Sequence, residues 1–448
     1  MTDAVTTEDL RALRRLDLRG RTLSLRDLRD ALPRPRLDVD AAVEVVRPIC
    51  AEVRDGGAAA AREITKRLDG VEAAALRVDR AQLDAAVAAL DADLRAALLA
   101  AADRVRRVHE AQRPADVTIA VADGLRVVER WRPVRRVGLY VPGGRVAYPS
   151  SVVMNVVPAQ VAGVESIVVV SPPQRATGGL PHPAVLAACA LLGVTEVYAV
   201  GGAQAVALLA YGSGAEQGEL VEPVDVITGP GNVYVAAAKR LVRGLVGIDA
   251  EAGPTEIAIL ADATADPHLI AVDLIAQAEH DELATCLLVT TDPALADQVD
   301  EWLRRLVPVT RHVDRVRDAL RGQGTVVLVD SVDAGLAVVD AFAAEHLEIH
   351  TTDAEAVAAR VRNAGAIFVG PFAPVSLGDY LAGSNHVLPT GGTARHTGGL
   401  SVFSFLRMVH EVSCTADALA AAAPAIDALG AAEELAAHVA AVRARVGP

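Results

Sequence analysis

Cysteine is scarce in this chain of 448 residues: Cys50, Cys189, Cys286 and Cys414 are the only four, and none stands in C-x-x-C spacing. That scatter argues against a disulfide scaffold. With apolar neighbours around the first three, the expectation is buried thiols in a reducing, cytoplasmic setting. Aromatic residues reach only 3% against 52% hydrophobic residues, skewed to Ala, Val and Leu. That argues against a β-sandwich and for helices packed on buried parallel strands. Among 43 basic residues only Lys66 and Lys239 are lysines, a bias of composition more than of function. The net charge of -14 argues against a general nucleic-acid binder, which needs an excess of cations on one face. The N-terminal M-T-D-A-V-T-T-E-D-L has acidic residues and no apolar core, so no secretory signal is expected. The most apolar windows, 183–194 and 198–211, are too short or too broken by Gly and Pro to span a membrane. There is no obvious internal repeat and no complete G-x-G-x-x-G. What remains is a chain of about three domains by length, acting on soluble small molecules.

The order of elements is legible from texture. Residues 1–37 hold two Arg- and Leu-rich segments, 10–18 and 23–32, ended by P-R-P-R, and read as a helical arm with little core of its own. From 39 to 113 the apolar spacing is helical, broken only near Gly56-Gly57 and Gly70. After Arg126 a strand runs to Gly143-Gly144. Strands and helices then alternate: strand 166–170, helix 183–192, strand 196–200 into G-G-A-Q-A and a helix from Gln204, strand 224–228 into G-P-G-N and helix 233–242. These are βαβ units of a parallel sheet, with ligands expected at the carboxyl ends of its strands. A second alternating run follows, with strands at 256–260, 286–290, 325–329 and 366–369, and predicts a second sheet completed by the early helices. After Pro371 comes a loop-like stretch, then an Ala-rich helical tail, 417–446. The expected division is an arm at 1–37, one α/β domain from 38–135 with 253–377, a second at 136–252, and a loop and tail at 378–448.

Within this frame one stretch is dense in metal-capable side chains: L-I-A-Q-A-E-H-D at 274–281. If 267–282 is one helix, Gln277 and His280 project from the same face about one turn apart. Two donors on one turn need His, Asp or Glu from other segments to complete a metal shell; alone they are a polar helix end. Three clusters could supply them. Glu345-His346 sets an acid and a base side by side, Asp379 lies in a Gly-bounded loop with His386 seven residues on, and Glu433 and His438 share the tail. The G-P-G-N turn at 229–232 could offer backbone N–H groups to a phosphate, or be a plain βα turn.

Taken together, the motifs R-V-G-L-Y-V-P-G-G at 136–144, G-G-A-Q-A at 201–205, G-P-G-N-V-Y-V-A-A-A-K-R at 229–240, A-G-P-T-E at 252–256, Q-A-E-H-D at 277–281, A-E-H-L-E-I at 344–349 and G-D-Y-L-A-G-S-N-H-V-L-P-T at 378–390 resemble histidinol dehydrogenases. They run in family order from about residue 40 to the C-terminus. The resemblance implies two Rossmann-like, aldehyde-dehydrogenase-like α/β domains in a homodimer, and a zinc- and NAD-dependent oxidation of L-histidinol through the aldehyde to L-histidine. Gln277, His280, Asp379 and His438 fall on the family's zinc ligands, and Glu345 and His346 on its acid-base pair. Thr255, His386 and Glu433 match further substrate contacts, with Thr255 where many members have Ser. Tyr140, Gln204 and Asn232 match NAD contacts. In the family the tail completes the partner's site. The acidic loop at 214–222 is longer than the family pattern and has no assigned role.

The residue types suit that chemistry. A neutral imidazole, with an ordinary pKa of about 6.5, can take the hydroxyl proton as hydride leaves; His346 is the candidate. Glu345 can orient or deprotonate the water that adds to the aldehyde. Histidinol's amino and imidazole nitrogens are good zinc ligands, so the metal would clamp the far end of the substrate. No cysteine belongs to a matched polar cluster, so a catalytic thiol has no support. Two other readings stay open: a related NAD-dependent dehydrogenase of another polar alcohol, for which His386 and Glu433 would be superfluous, and a non-catalytic zinc- or nucleotide-binding homologue, which would yield no NADH with any alcohol.

Overall fold

The computed structural model describes residues 13–35, 39–72, 74–143 and 147–447. Gly144 and parts of the N-terminal arm, including Leu10, lie outside them. Two parallel sheets and one antiparallel ribbon carry the fold. In the first sheet the strands run in the spatial order Glu196–Ala199, Ser166–Ser171, Arg136–Tyr140, Val226–Thr228 and Gly247–Ile248. The chain starts in the middle, winds one way, then crosses back to wind the other. The crevice between Arg136–Tyr140 and Val226–Thr228 is therefore a topological switch point, where parallel sheets bind ligands. Leu139 and Ile227 are fully buried, as expected of strands covered on both faces.

The second sheet has the order Arg14–Asp17, Thr325–Leu328, Thr285–Thr290, Glu256–Ala261, His346–His350 and Ala366–Val369, all parallel. Its first strand corrects the reading of the arm as helical: Arg14–Asp17 pairs as an edge strand with Thr325–Leu328, and only Leu25–Ala31 is helix. The helices Pro267–Ala278, Pro293–Leu306 and Val313–Gln323 pack on one face of this sheet, and Leu25–Ala31 with Val332–Phe342 on the other. Both faces are thus covered by its own crossovers. The early helices go elsewhere, a second correction. Val46, Val53, Ala61 and Ile64 of Val39–Asp69 join Val168, Val170 and 205–210 in one core, and Leu83, Leu98 and Val105 join Val137, Leu139 and Val169 in another. Residues 39–112 therefore complete the first sheet, not the second.

The stretch after Arg126 is likewise divided. Leu125–Pro133 belongs to an antiparallel ribbon between Val117–Ala122 and Leu406–Cys414, and Arg136–Tyr140 begins the first sheet. The ribbon strand at 406–414 interrupts a segment expected to be loop and helix. Beyond it stand the tail helices Ala416–Ala432 and Ala436–Val446, which bury only Ala423 and Gly430. No helix among the described residues is long and apolar enough to cross a membrane.

If the early helices are integral to the first sheet, Ile64→Ala empties a fully buried position and costs about 2–5 kcal/mol. A urea titration followed by circular dichroism should show the midpoint drop; an unchanged midpoint would place this helix outside the core.

Candidate active site

A cavity of about 500 Å³ lies where the two sheets face one another. From the first sheet it is lined by Tyr148, Ser151 and the turn Gly229 to Asn232, and from the second by Thr255, His280, Glu345, His346, Asp379 and His386. The two sheets contribute opposite edges. Gly229 follows the carboxyl end of its strand, whereas Thr255, Glu345 and His346 sit at the amino ends of Glu256–Ala261 and His346–His350. The carboxyl-end rule holds for the first sheet and not for the second.

The amino edge works because unpaired backbone N–H groups begin there. Glu345 Oε2 accepts the backbone N–H of Glu256 at 3.0 Å and the hydroxyl of Thr255 at 2.6 Å. Thr255 Oγ1 in turn accepts from Gln277 Nε2 at 2.6 Å. Gln277 is only 2% exposed, and its Oε1 has no hydrogen-bond partner among the described residues. The helix bearing it ends at Ala278, with Glu279 as its cap. His280 therefore stands in the following turn, not on the helix as expected, and is exposed to the cavity.

Burial sets the protonation of the pair. It pushes the Glu345 carboxyl up to about 7, against the pull of the Thr255 and Glu256 hydrogen bonds. Burial also holds the His346 imidazole below its ordinary value, against the charge of Asp379. His346 Nδ1 lies 3.8 Å from Glu345 Oε2, too far for a hydrogen bond, and is buried without a hydrogen-bond partner among the described residues. A neutral imidazole able to take a proton thus stands beside a carboxyl that can be charged or neutral near pH 7. His386 is fixed between Ser151 Oγ at 3.1 Å and the Asp379 carbonyl at 3.0 Å, and burial lowers its pKa too.

On the first sheet, Asn232 caps the helix Val233–Val242 by accepting from Tyr234 and Val235. Gly229 has φ +111°, and a Cβ there would lie 2.0 Å from the Tyr140 carbonyl, so only glycine fits. Its peptide is gripped from both sides: Lys239 Nζ donates to its carbonyl at 2.5 Å, and its N–H donates to Asp249 at 2.7 Å. Lys239 and Asp249 also pair at 2.6 Å, both buried. Neither was singled out from the sequence, although a buried lysine in a chain with two lysines is a usable signal.

The other expected residues are placed differently. Tyr140 and Gln204 do not line the cavity; the Tyr140 hydroxyl accepts the N–H of Gly202, and Gln204 reaches Thr65 and Asp69. Glu433 and His438 are exposed on the tail and do not line it either. Cys50, Cys189 and Cys286 are buried, and burial raises each thiol well above its ordinary pKa, which fits no nucleophile. A further cluster of Asp273, Glu348 and His350 was missed. Its signal was the alternation H-L-E-I-H at 346–350, which puts three polar side chains on one face of a strand.

A glycine-turn crevice of a parallel sheet facing a buried carboxyl–imidazole pair defines the site of a nucleotide-dependent oxidoreductase. Comparison with known proteins makes this particular. The family model described as histidinol dehydrogenase matches residues 32–446. The histidinol dehydrogenase of Nocardia farcinica is 63% identical over 434 residues, 97% of this chain and 98% of that protein. That of Mycobacterium tuberculosis is 60% identical over 434 residues, with the same coverage. The crystal structure of histidinol dehydrogenase from Elizabethkingia anophelis superposes with a TM-score of 0.89 at 30% identity, covering 97% of this chain and 98% of that one. The chain belongs to the histidinol dehydrogenase family.

The raised pKa of Glu345 carries a stability signature. Between its ordinary value of 4.5 and about 7, the folded chain holds a proton that the unfolded chain has released. Its contribution is complete below 4.5 and is lost as pH rises through that window. Unfolding of the metal-free protein across pH 4–8 should show a slope that flattens in Glu345→Gln; an identical slope in both proteins would remove Glu345 from the titration.

Proposed function

We propose that this chain oxidises L-histidinol to L-histidine by two successive hydride transfers to NAD, as a zinc-dependent homodimer of the cytoplasm. The observation that carries the reading is the buried Glu345-His346 pair on the cavity wall, facing the Gly229 to Asn232 turn across the space a substrate would fill.

The residues fit zinc. Gln277 Oε1 is a buried acceptor without a partner among the described residues, and His280 and Asp379 both line the cavity, an N/O donor set of the kind zinc accepts. Gln277, His280 and Asp379, with His438 from the second copy, would hold the ion, which would fix the substrate by its amino and imidazole nitrogens. His386, Thr255 and Glu433 would meet the same end of the substrate.

In the first oxidation a hydride leaves the carbinol carbon for NAD while neutral His346 takes the hydroxyl proton, leaving the aldehyde. In the second, water would add to the aldehyde carbon as Glu345 takes one of its protons and protonated His346 returns its own to the carbonyl oxygen. The hydrate would then lose hydride to a second NAD and one hydroxyl proton to His346, and the resulting acid would release its last proton to solvent as the carboxylate. A carboxyl poised at about 7 can bind and release the water's proton at neutral pH. Thr255 and Gln277 hold Glu345 in place through the hydrogen-bond chain described above. Asn232, Tyr140 and Gln204, at the carboxyl edge of the first sheet, would receive NAD.

The dimer reading draws on exposed apolar surface. Val117, Ile119 and Val121 on the ribbon and Leu429 on the tail are 42–64% exposed, and such patches favour association. The tail would then carry Glu433 and His438 into the other copy's site.

His346→Asn should lower turnover by roughly 100-fold, the scale of a lost general base, without loss of zinc. Complete conversion should give two NADH per histidinol; one per histidinol would mean the aldehyde escapes, and none would overturn the assignment. Chelation should abolish activity and zinc restore it.

The tail exchange has its own test. His346→Asn and His438→Ala, each inactive, are unfolded and refolded together. If the tail acts in trans, each mixed dimer has one site with both lesions and one with neither, so random pairing restores about a quarter of wild-type sites. If it acts within its own chain, no activity returns.

A further inference from the structure

The second sheet holds a buried polar cluster that the reaction above leaves unused. Along His346–His350, the side chains of His346, Glu348 and His350 share one face, the face covered by Pro267–Ala278. Glu348 is fully buried. Its Oε1 accepts the N–H of Val375 at 3.1 Å, and its Oε2 lies 3.2 Å from His350 Nε2. The Asp273 carboxyl completes the cluster, with ligand atoms of all three residues within 4.8 Å of one another.

Each partner leads to a different part of the candidate site. Asp273 lies four residues before Gln277 on the same helix, and so on the same side one turn away. Val375 opens the helix Val375–Tyr380, which carries Asp379. Glu348 itself is two residues from His346. We infer that Glu348 is a positioning residue, whose single carboxylate holds the helix of Gln277, the strand of His346 and the helix of Asp379 in one register. The inference rests on the metal-site reading given above.

Burial supports this. A carboxylate withdrawn from water persists only where its oxygens find partners, and here every partner comes from a segment that bears a proposed functional group. Asp273, pushed up by burial and by the charge of Glu348 to about 7, can supply a proton to the contact instead of a second negative charge. Displacing one of these segments by an ångström would separate donors that must converge.

The test uses the full-length protein with zinc affinity measured by chelator competition, alongside kcat and the KM for NAD. Glu348→Ala removes the joint, whereas Glu348→Gln keeps an acceptor for Val375. Val375→Pro deletes the N–H without disturbing the backbone, since proline suits the first helical position and Pro374 before it is already extended at φ -68°, ψ 155°. Because the Val375 side chain is also buried, Val375→Ala, which keeps the N–H, is its control and should leave zinc affinity within about threefold of wild type. Glu348→Ala and Val375→Pro should each weaken zinc tenfold or more and lower kcat in parallel. The KM for NAD should stay within about twofold, and Glu348→Gln within about threefold of wild type throughout. If Glu348→Ala does not fold, Val375→Pro carries the test. Unchanged zinc affinity in both variants, joint loss of zinc and NAD binding, or a Glu348→Gln as damaged as Glu348→Ala would overturn the inference. So would a second zinc per chain in the wild type that Glu348→Ala abolishes, since the cluster would then be a metal site itself. Gln277→Ala, run in parallel, tests the underlying reading: if it leaves zinc affinity intact, the metal-site assignment fails whatever Glu348 does.

Discussion

The site depends on the double hydrogen bond that the Glu345 carboxylate accepts from Thr255 and from the backbone of Glu256. It is made across neighbouring strands at the amino edge of a parallel sheet, where strand-end N–H groups have no ladder partner and need another acceptor. A carboxylate placed there satisfies the backbone and is itself held. The Thr255 hydroxyl passes the constraint on to Gln277, so the acid-base pair and the proposed metal donor are set by one chain of contacts. Glu256, next along, is buried and pushed up to about 7; Arg34 from the N-terminal arm donates to it at 3.0 Å. The arm thus reaches the rear of the site, which its sequence gave no reason to expect.

Using opposite edges of two sheets separates two tasks. The first sheet offers a carboxyl edge with a switch point, where Gly229 passes so close to Tyr140 that a side chain would not fit. Lys239 and Asp249 hold that peptide by charge-assisted bonds in a buried setting, stronger than neutral ones. The second sheet offers an amino edge, where desolvation raises the proton affinity of the carboxyl and lowers that of the imidazole. In the proposed reaction the backbone N–H groups of the Gly229 to Asn232 turn, where a helix begins, would meet an anionic cofactor, and the Glu345-His346 pair would take protons from the alcohol.

The parallel strands were legible because continuous Val, Ile and Leu runs mean burial on both faces, and runs such as S-I-V-V-V and V-D-V-I-T say so locally. Thr255, His280, Glu345, His346, Asp379 and His386 were legible as residues, and the fold brings all six to one cavity. What escaped depends on long-range pairing. Nothing within Arg14–Asp17 tells that it will lie beside Thr325–Leu328, since an edge strand of four residues has no periodicity to read. The helices at 39–112 are visibly amphipathic, but which sheet their apolar stripe covers is decided by which sheet still has a bare face. Glu348 looked like an ordinary strand residue because its partners, Asp273 and Val375, are 75 and 27 positions away in the chain.

The tail poses a different problem of stability. Its two helices bury little beyond Ala423 and Gly430 on their own chain, and helices of 17 and 11 residues gain little from propensity alone. They must gain their order from packing on something else. The proposed zinc donors divide in the same way, with His280 and Asp379 lining one cavity, Gln277 buried behind Thr255 on its wall, and His438 outside it. In the proposed dimer both deficits are met by one event, because the surface that buries the tail also delivers the fourth donor. Zinc binding and subunit association would then be thermodynamically linked, each strengthening the other. In that arrangement a monomer that lost its partner would lose the metal's fourth ligand with it, and catalysis would be confined to the proposed dimer.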